Sequence, residues 1–108
     1  MSTFKPYASA IEAPSLSEVQ ALPGLILLEF GTEWCGHCRA AQALVAQALA
    51  EHPKWQHLKI EDGPGRALGP YYRVKLWPTL VLQRDGQEVA RLVRPVSAQA
   101  IEIAMSKA

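Results

Sequence analysis

The stretch Leu25-Ile26-Leu27-Leu28-Glu29-Phe30-Gly31-Thr32-Glu33-Trp34-Cys35-Gly36-His37-Cys38 joins two kinds of pattern. Its first half is a short, continuous apolar run, the signature of a strand buried on both faces. Beyond Cys38 the period changes: Ala40, Ala41, Leu44, Val45, Ala48 and Leu49 recur at helical spacing, with Arg39, Gln42, Gln47 and Glu51 assigned to the opposite side. The two cysteines therefore fall where a strand hands over to a helix N-terminus. Residues i and i+3 share one helix face, so their sulfurs can bond without rearranging the backbone. A cysteine at the helix start meets unpaired N–H groups and the positive end of the helix dipole, and both favour thiolate over thiol. So short a loop constrains the unfolded chain little, which argues against a structural disulfide and leaves redox or metal chemistry. Structural zinc takes four protein ligands, and Cys35, Cys38 and His37 supply three at most, so no metal is expected.

Outward from this stretch the chain is ordinary. Its 108 residues suit a single domain spanning 1–108, with an N-terminal strand and helix in 1–24 and the core in 25–108. Hydrophobic residues make up 49% and charged residues 19%, and the net charge of +1 carries no basic run, so neither nucleic acid nor membrane is an expected partner. No segment approaches the length of a membrane span, and Met1-Ser-Thr-Phe-Lys-Pro-Tyr lacks the apolar core of a signal peptide, giving a cytoplasmic expectation.

Punctuation places the other elements. A first strand is expected around Ala8 to Ala13. Ser15 with Glu18 three residues on forms a capping-box pattern, and Pro23-Gly24 ends the short helix it starts. The long helix runs roughly from Cys35 to Glu51 and stops at His52-Pro53. Trp55 to Ile60 alternates as a strand does, and a short helix near Arg66 to Tyr72 contains Pro70. Thr79 to Gln83 and Gln87 to Arg94 form a hairpin at Arg84-Asp85-Gly86. Ser97 caps a last helix burying Ala98, Ile101, Ala104 and Met105. The order predicts an α/β fold, a central mixed sheet with helices on both faces.

Phe30 to Cys38 resembles the active-site segment of the thioredoxin family, and Tyr72-Arg73-Val74-Lys75-Leu76-Trp77-Pro78-Thr79-Leu80 resembles its proline-threonine loop and following strand. Leu58-Lys59-Ile60-Glu61-Asp62 and Asp85-Gly86 fall where that family's third strand and final hairpin turn lie. The resemblance implies a thioredoxin fold and a set of roles. Cys35 becomes the nucleophile and Cys38 the resolving thiol. Glu29, an acid in an apolar strand where an unpaired carboxylate is costly, matches the family's buried acid, usually Asp, which exchanges a proton with the second cysteine. His57 matches a frequent lysine beside that acid. Histidine can lose its charge near neutral pH where lysine keeps it.

His37 stands where thioredoxins proper carry Pro, as in protein disulfide isomerase; an imidazolium there would stabilise a Cys35 thiolate and make the disulfide more oxidising. Pro78 matches a proline that is cis in the family, although X–Pro bonds are mostly trans. The backbone of the residue before it, here Trp77, pairs with the substrate chain in the family. Trp34, Trp77 and Ile60 are expected to form an apolar substrate-facing patch, Trp55 to be core, and Glu33, Arg39, Arg73 and Lys75 a solvated rim. Four departures from the family pattern alter the docking surface or its support: Gly31 for an aromatic, Ala43 for a helix-kinking Pro, Arg94 for a glycine and Leu76 for a small residue.

The expectation is a thiol:disulfide oxidoreductase for protein disulfides, a monomer and a cytoplasmic reductase, needing no cofactor beyond its own Cys35–Cys38 disulfide and re-reduced by a partner reductase. Oxidation or isomerisation suits a Gly-His pair as well. The rival from another class is a partner-binding or chaperone-like module with incidental cysteines, for which the bulky Leu76, Trp77 and Arg94 speak.

Overall fold

The apolar run forms β1 (Leu25–Gly31), buried from Ile26 onward at the centre of a four-stranded sheet. On one side it pairs in parallel with β2 (Gln56–Glu61), on the other antiparallel with β3 (Thr79–Arg84), which in turn pairs antiparallel with β4 (Gln87–Val93). The sheet order β2-β1-β3-β4 is mixed, as the predicted order of elements requires. These relations come from a computed structural model that describes residues 4–9 and 11–108.

Strand alternation divides the core in two. Ile26, Leu28 and Phe30 of β1 join Ile60 and Val81 on one face, beneath Val19 of α1 (Leu16–Ala21) and Leu68 of α3 (Leu68–Tyr71). Leu27 joins Leu80 and Leu82 on the other, beneath Val45 and Ala48 of α2 (Gly36–Glu51) and Ile101 and Met105 of α4 (Ala98–Ser106). Trp55 packs into this second cluster, as expected of a core tryptophan. Burying two sheet faces under two pairs of helices gives the α/β architecture that the order of elements predicts.

Local chemistry sets the joints. Ser15 Oγ accepts from Glu18 N–H at 3.2 Å while Glu18 Oε1 accepts from Ser15 N–H at 2.9 Å, the reciprocal capping box. Asp85 and Gly86 both take positive φ, +48° and +83°, as a tight hairpin turn needs, and Gly86 lies against the Gln20 carbonyl where a Cβ has no room. Pro70 lies in the first turn of α3, where a missing N–H costs nothing.

Three expectations need correction. The strand over Ala8–Ala13 shrinks to one parallel bridge, Ala8 to Ile60, because the Ser9 carbonyl then turns the chain by accepting from Ala13 N–H; Ala10 lies outside the described residues. Gln42 is buried, not on the polar side of α2, and Ala40 is exposed. The third concerns Ile60. Its side chain belongs to the core beneath α1 and α3, since it shares a strand face with Leu58 and not with His57 and Lys59.

Candidate active site

Cys35 is the N-cap of α2, and its sulfur accepts from Cys38 N–H at 3.2 Å. The orphan donors of a helix start thus face the first sulfur, an arrangement that suits a charged acceptor. Both cysteines are free thiols. They differ in access: Cys35 keeps 7% of its surface and Cys38 none. Burial pushes the Cys38 thiol up to about 12, with the bond to Cys35 adding to the rise and the Thr32 backbone and Tyr7 opposing it. One sulfur reaches the surface and the other is sealed beneath it.

Gly31 makes that packing possible. A Cβ at position 31 would lie 2.5 Å from Cys38 Sγ and 2.8 Å from the Tyr7 hydroxyl. The absence of an aromatic side chain there is a steric requirement of Cys38 and Tyr7, which occupy its space.

Around Cys35 the surface is aromatic. Trp34 is 72% exposed and meets Trp77 edge-to-face, ring centroids 5.6 Å apart. Trp77 is half-buried and donates its indole N–H to Asp62 Oδ2 at 2.9 Å. The Trp77–Pro78 peptide bond is cis, and the Trp77 carbonyl lies 4.0 Å from Cys35 Sγ. Arg94, with φ +50°, donates from Nε to that same carbonyl at 2.8 Å. Ile60, buried on the far side of the sheet, takes no part in this patch. Glu33, Arg39, Arg73 and Lys75 are exposed, as a rim is.

Beneath Cys38 lies a buried polar cluster. Glu29 is fully buried; its Oε1 pairs with His57 Nε2 at 2.8 Å, and its Oε2 accepts from Gln42 Nε2 at 2.8 Å and from the Tyr7 hydroxyl. Burial works against the charge on Glu29, but the bond and attraction from His57, with the bonds from Tyr7 and Gln42, outweigh it and hold the carboxyl below its ordinary range. Gln42 also donates to the Cys38 carbonyl at 2.8 Å and accepts from Lys59 Nζ at 2.6 Å. Lys59 Nζ sits 4.3 Å from the Tyr7 ring centroid and reaches the Lys5 carbonyl. Each polar group here has a partner, as burial demands.

Sequence reasoning placed Cys35, Cys38, Glu29 and His57 and missed Tyr7, Gln42 and Lys59. Gln42 follows Cys38 by one helical turn, and Lys59 shares a strand face with His57, so both were discoverable from spacing. Tyr7, in a weakly patterned segment, gave no signal. His37 projects to the exposed side of α2, with no bond to Cys35. Among the described residues no three His, Cys, Asp or Glu side chains gather as metal ligands. A cavity of about 570 Å³ between Gln20, Tyr71 and Arg91 holds neither cysteine. The dithiol belongs to an open aromatic surface, of the kind a polypeptide can dock on.

Comparison with known proteins agrees with this geometry. The thioredoxin family model matches residues 13–107. A thioredoxin of Chlamydia pneumoniae is 40% identical over 70 residues, 65% of this chain and 69% of that protein. The structure of thioredoxin 2 from Pseudomonas aeruginosa PAO1 in its reduced form superposes with a TM-score of 0.83 at 51% identity, covering 97% of this chain and 94% of that one. Mitochondrial thioredoxin 3 from Saccharomyces cerevisiae shares the fold at 18% identity, TM-score 0.77, over 98% and 96% of the two chains. Because the family model spans nearly the whole chain and a solved thioredoxin at half identity follows the same fold almost end to end, the chain belongs to the thioredoxin family of protein disulfide oxidoreductases.

Proposed function

We propose that the chain is a reductase of protein disulfides in the cytoplasm, acting as a monomer without a bound cofactor. The observation that carries this reading is the unequal pair at the start of α2. Cys35 is solvent-touched and receives the Cys38 N–H, whereas Cys38 is sealed beside Glu29's cluster. Cys35 attacks the client disulfide and forms a mixed disulfide; Cys38 then attacks Cys35, releasing the client thiol and leaving the Cys35–Cys38 disulfide. A partner reductase returns the pair to dithiols. Among the described residues no helix is long and apolar enough to cross a membrane, which is compatible with this address. Equilibration of the pair with glutathione tests the direction. A potential below the cytosolic poise of roughly −220 to −260 mV fits a reductase; one near about −120 mV, a strong oxidant's value, sinks it.

His37 tunes that potential. At the second residue of α2 a proline is sterically acceptable, so His37→Pro isolates the loss of the imidazole. The variant is expected to be more reducing than the wild type in the same equilibration. An unchanged potential means that the exposed ring acts on solvent alone.

Trp34 and Trp77 form the docking face, with the Trp77 backbone as the client's pairing edge and Pro78, expected at the surface, buried beneath it. Arg94 occupies the Trp77 carbonyl, so a client chain must displace its Nε to bond there. Arg94→Gly removes the competitor and also relieves a left-handed backbone that L side chains disfavour. The KM for peptide disulfides is expected to fall by about three- to tenfold, the worth of one freed hydrogen bond, with kcat little changed. A KM that stays put would show that Arg94 does not compete with the client, and one that rises would show that it assists docking.

A further inference from the structure

We propose that Tyr7 is the proton carrier between Cys38 and Glu29, so that resolution of the mixed disulfide runs through a phenol hydroxyl supplied by the N-terminal segment. This rests on the assignment of Cys38 as the resolving thiol. The hydroxyl stands between the two groups. It donates to Glu29 Oε2 on one side, and on the other it shares with Cys38 Sγ the space that a Gly31 side chain would fill, 2.8 and 2.5 Å from that missing Cβ. Tyr7, Cys35 and Cys38 pack as one buried cluster against Trp77.

The surroundings hold the ring in place. Tyr7 N–H donates to Glu33 Oε1 at 2.7 Å, and the next residue but one to the C-terminal side of this anchor lies past the Ala8 bridge to β2. Lys59 Nζ lies over the ring, and Gln42 Nε2 approaches the hydroxyl at 3.5 Å. Glu29 of β1, Lys59 of β2 and both cysteines at the start of α2 face the Tyr7 ring and hydroxyl, with His57 behind Glu29 on its other oxygen, while Glu33 holds the Tyr7 backbone and Arg39 lines the same small cavity. Burial and the neighbouring Glu29 charge push the Tyr7 hydroxyl far above the ordinary phenol range. It does not rest as a phenolate; it passes one proton as it takes another.

The step balances without any further reactant. The Cys38 S–H bond breaks and its proton goes to the Tyr7 oxygen. The former Tyr7 hydroxyl proton moves to Glu29 Oε2, and the negative charge passes from carboxylate to sulfur. The Cys38 thiolate then attacks Cys35 Sγ, forming the intramolecular S–S bond. The client sulfur leaves with the electron pair of the broken bond, and the proton held on Glu29 returns by the same hydroxyl to solvent or to the leaving thiolate. Cys35 and Cys38 together are oxidised by two electrons and the client disulfide is reduced by two.

Tyr7→Phe removes the carrier and keeps the ring. Rapid mixing of reduced protein with a peptide disulfide, with acid quenching, separates formation of the mixed disulfide from its resolution. Formation is expected at the wild-type rate. Resolution near neutral pH is expected to slow by about 100-fold, the low end of what a positioned proton carrier contributes. The deficit should shrink as pH rises and hydroxide serves in its place. Fluorotyrosine at position 7, which keeps the hydroxyl but makes it more acidic, should restore resolution and shift its pH profile. This second protein also keeps the test open should Tyr7→Phe fold poorly. The proposal is overturned by wild-type resolution in Tyr7→Phe, by equal slowing of both steps, or by a fluorotyrosine profile superimposable on the wild type. Cys38→Ser, run alongside, separates the two layers. Trapping there with normal resolution in Tyr7→Phe overturns the relay alone, and no trapping overturns the cysteine assignment beneath it.

Discussion

Cys38→Ser is expected to accumulate a stable mixed disulfide with client proteins, while Cys35→Ser accumulates none. The asymmetry follows from position. Cys35, at the helix N-cap, reaches solvent and receives the Cys38 N–H, so it is the sulfur a client disulfide can approach. Cys38 keeps no exposed surface, and burial pushes its thiol up to about 12; it can act only on a sulfur already delivered to Cys35. Serine in its place cannot displace the client, and turnover should fall to the background of the assay, the largest effect any single side chain here should have. Non-reducing gels of the two variants incubated with an oxidised client read the result directly. Equal adducts from both variants, or from neither, would remove the assignment and revive the binding-module reading, in which both double- and single-cysteine variants keep their partner.

Much of this was legible because different physical signals agreed at each point. The apolar run, the change of period after Cys38, the Ser15–Glu18 box and the Asp85-Gly86 turn each name a local structure, and the structure has each of them. What stayed hidden depended on tertiary packing. Gln42 was assigned to the polar face by its chemistry, yet the buried Glu29 and Lys59 draw it inward, where each end of its amide finds a buried partner. Ile60 looked like a surface contact because of its nearness in sequence to the active-site end of the sheet. One residue of alternation puts its side chain on the opposite face. Tyr7 was invisible since its place is set by long-range contacts alone: a bond to Glu33 and the Ala8 bridge to β2. Lys59 shows the same limit from the other side. The sequence offered a histidine and a lysine two apart, and both point into the cluster, one to Glu29 and the other to Gln42.

Glu29→Gln should then separate what the cluster does for catalysis from what it does for stability. Glutamine keeps the size of the side chain and removes the charge and the proton-accepting oxygen. Resolution of the mixed disulfide is expected to slow by about 100-fold near neutral pH, with Cys35's initial attack unaffected. The stability effect has a definite sign. His57, Tyr7 and Gln42 hold the Glu29 carboxyl below its ordinary value of about 4.5, so the unfolded chain binds more protons than the folded one as that range is crossed. The stabilisation from the carboxylate is therefore fully present above about 4.5 and is lost as pH falls through the lower folded value. In Glu29→Gln this contribution is missing at every pH. The variant should be less stable than the wild type at pH 7 by about 1–3 kcal/mol, the scale of an imperfectly satisfied buried polar site. The gap should then narrow on acidification, because only the wild type loses the carboxylate's share. Urea unfolding of both proteins between neutrality and the acid limb measures this directly. Two stability curves that fall in parallel would mean that Glu29 binds its proton equally in the folded and unfolded chain. A buried carboxylate gripped by a histidine, a tyrosine and a glutamine leaves no room for that equality, so convergence of the curves together with slow resolution is the result that joins the acid to the chemistry above it.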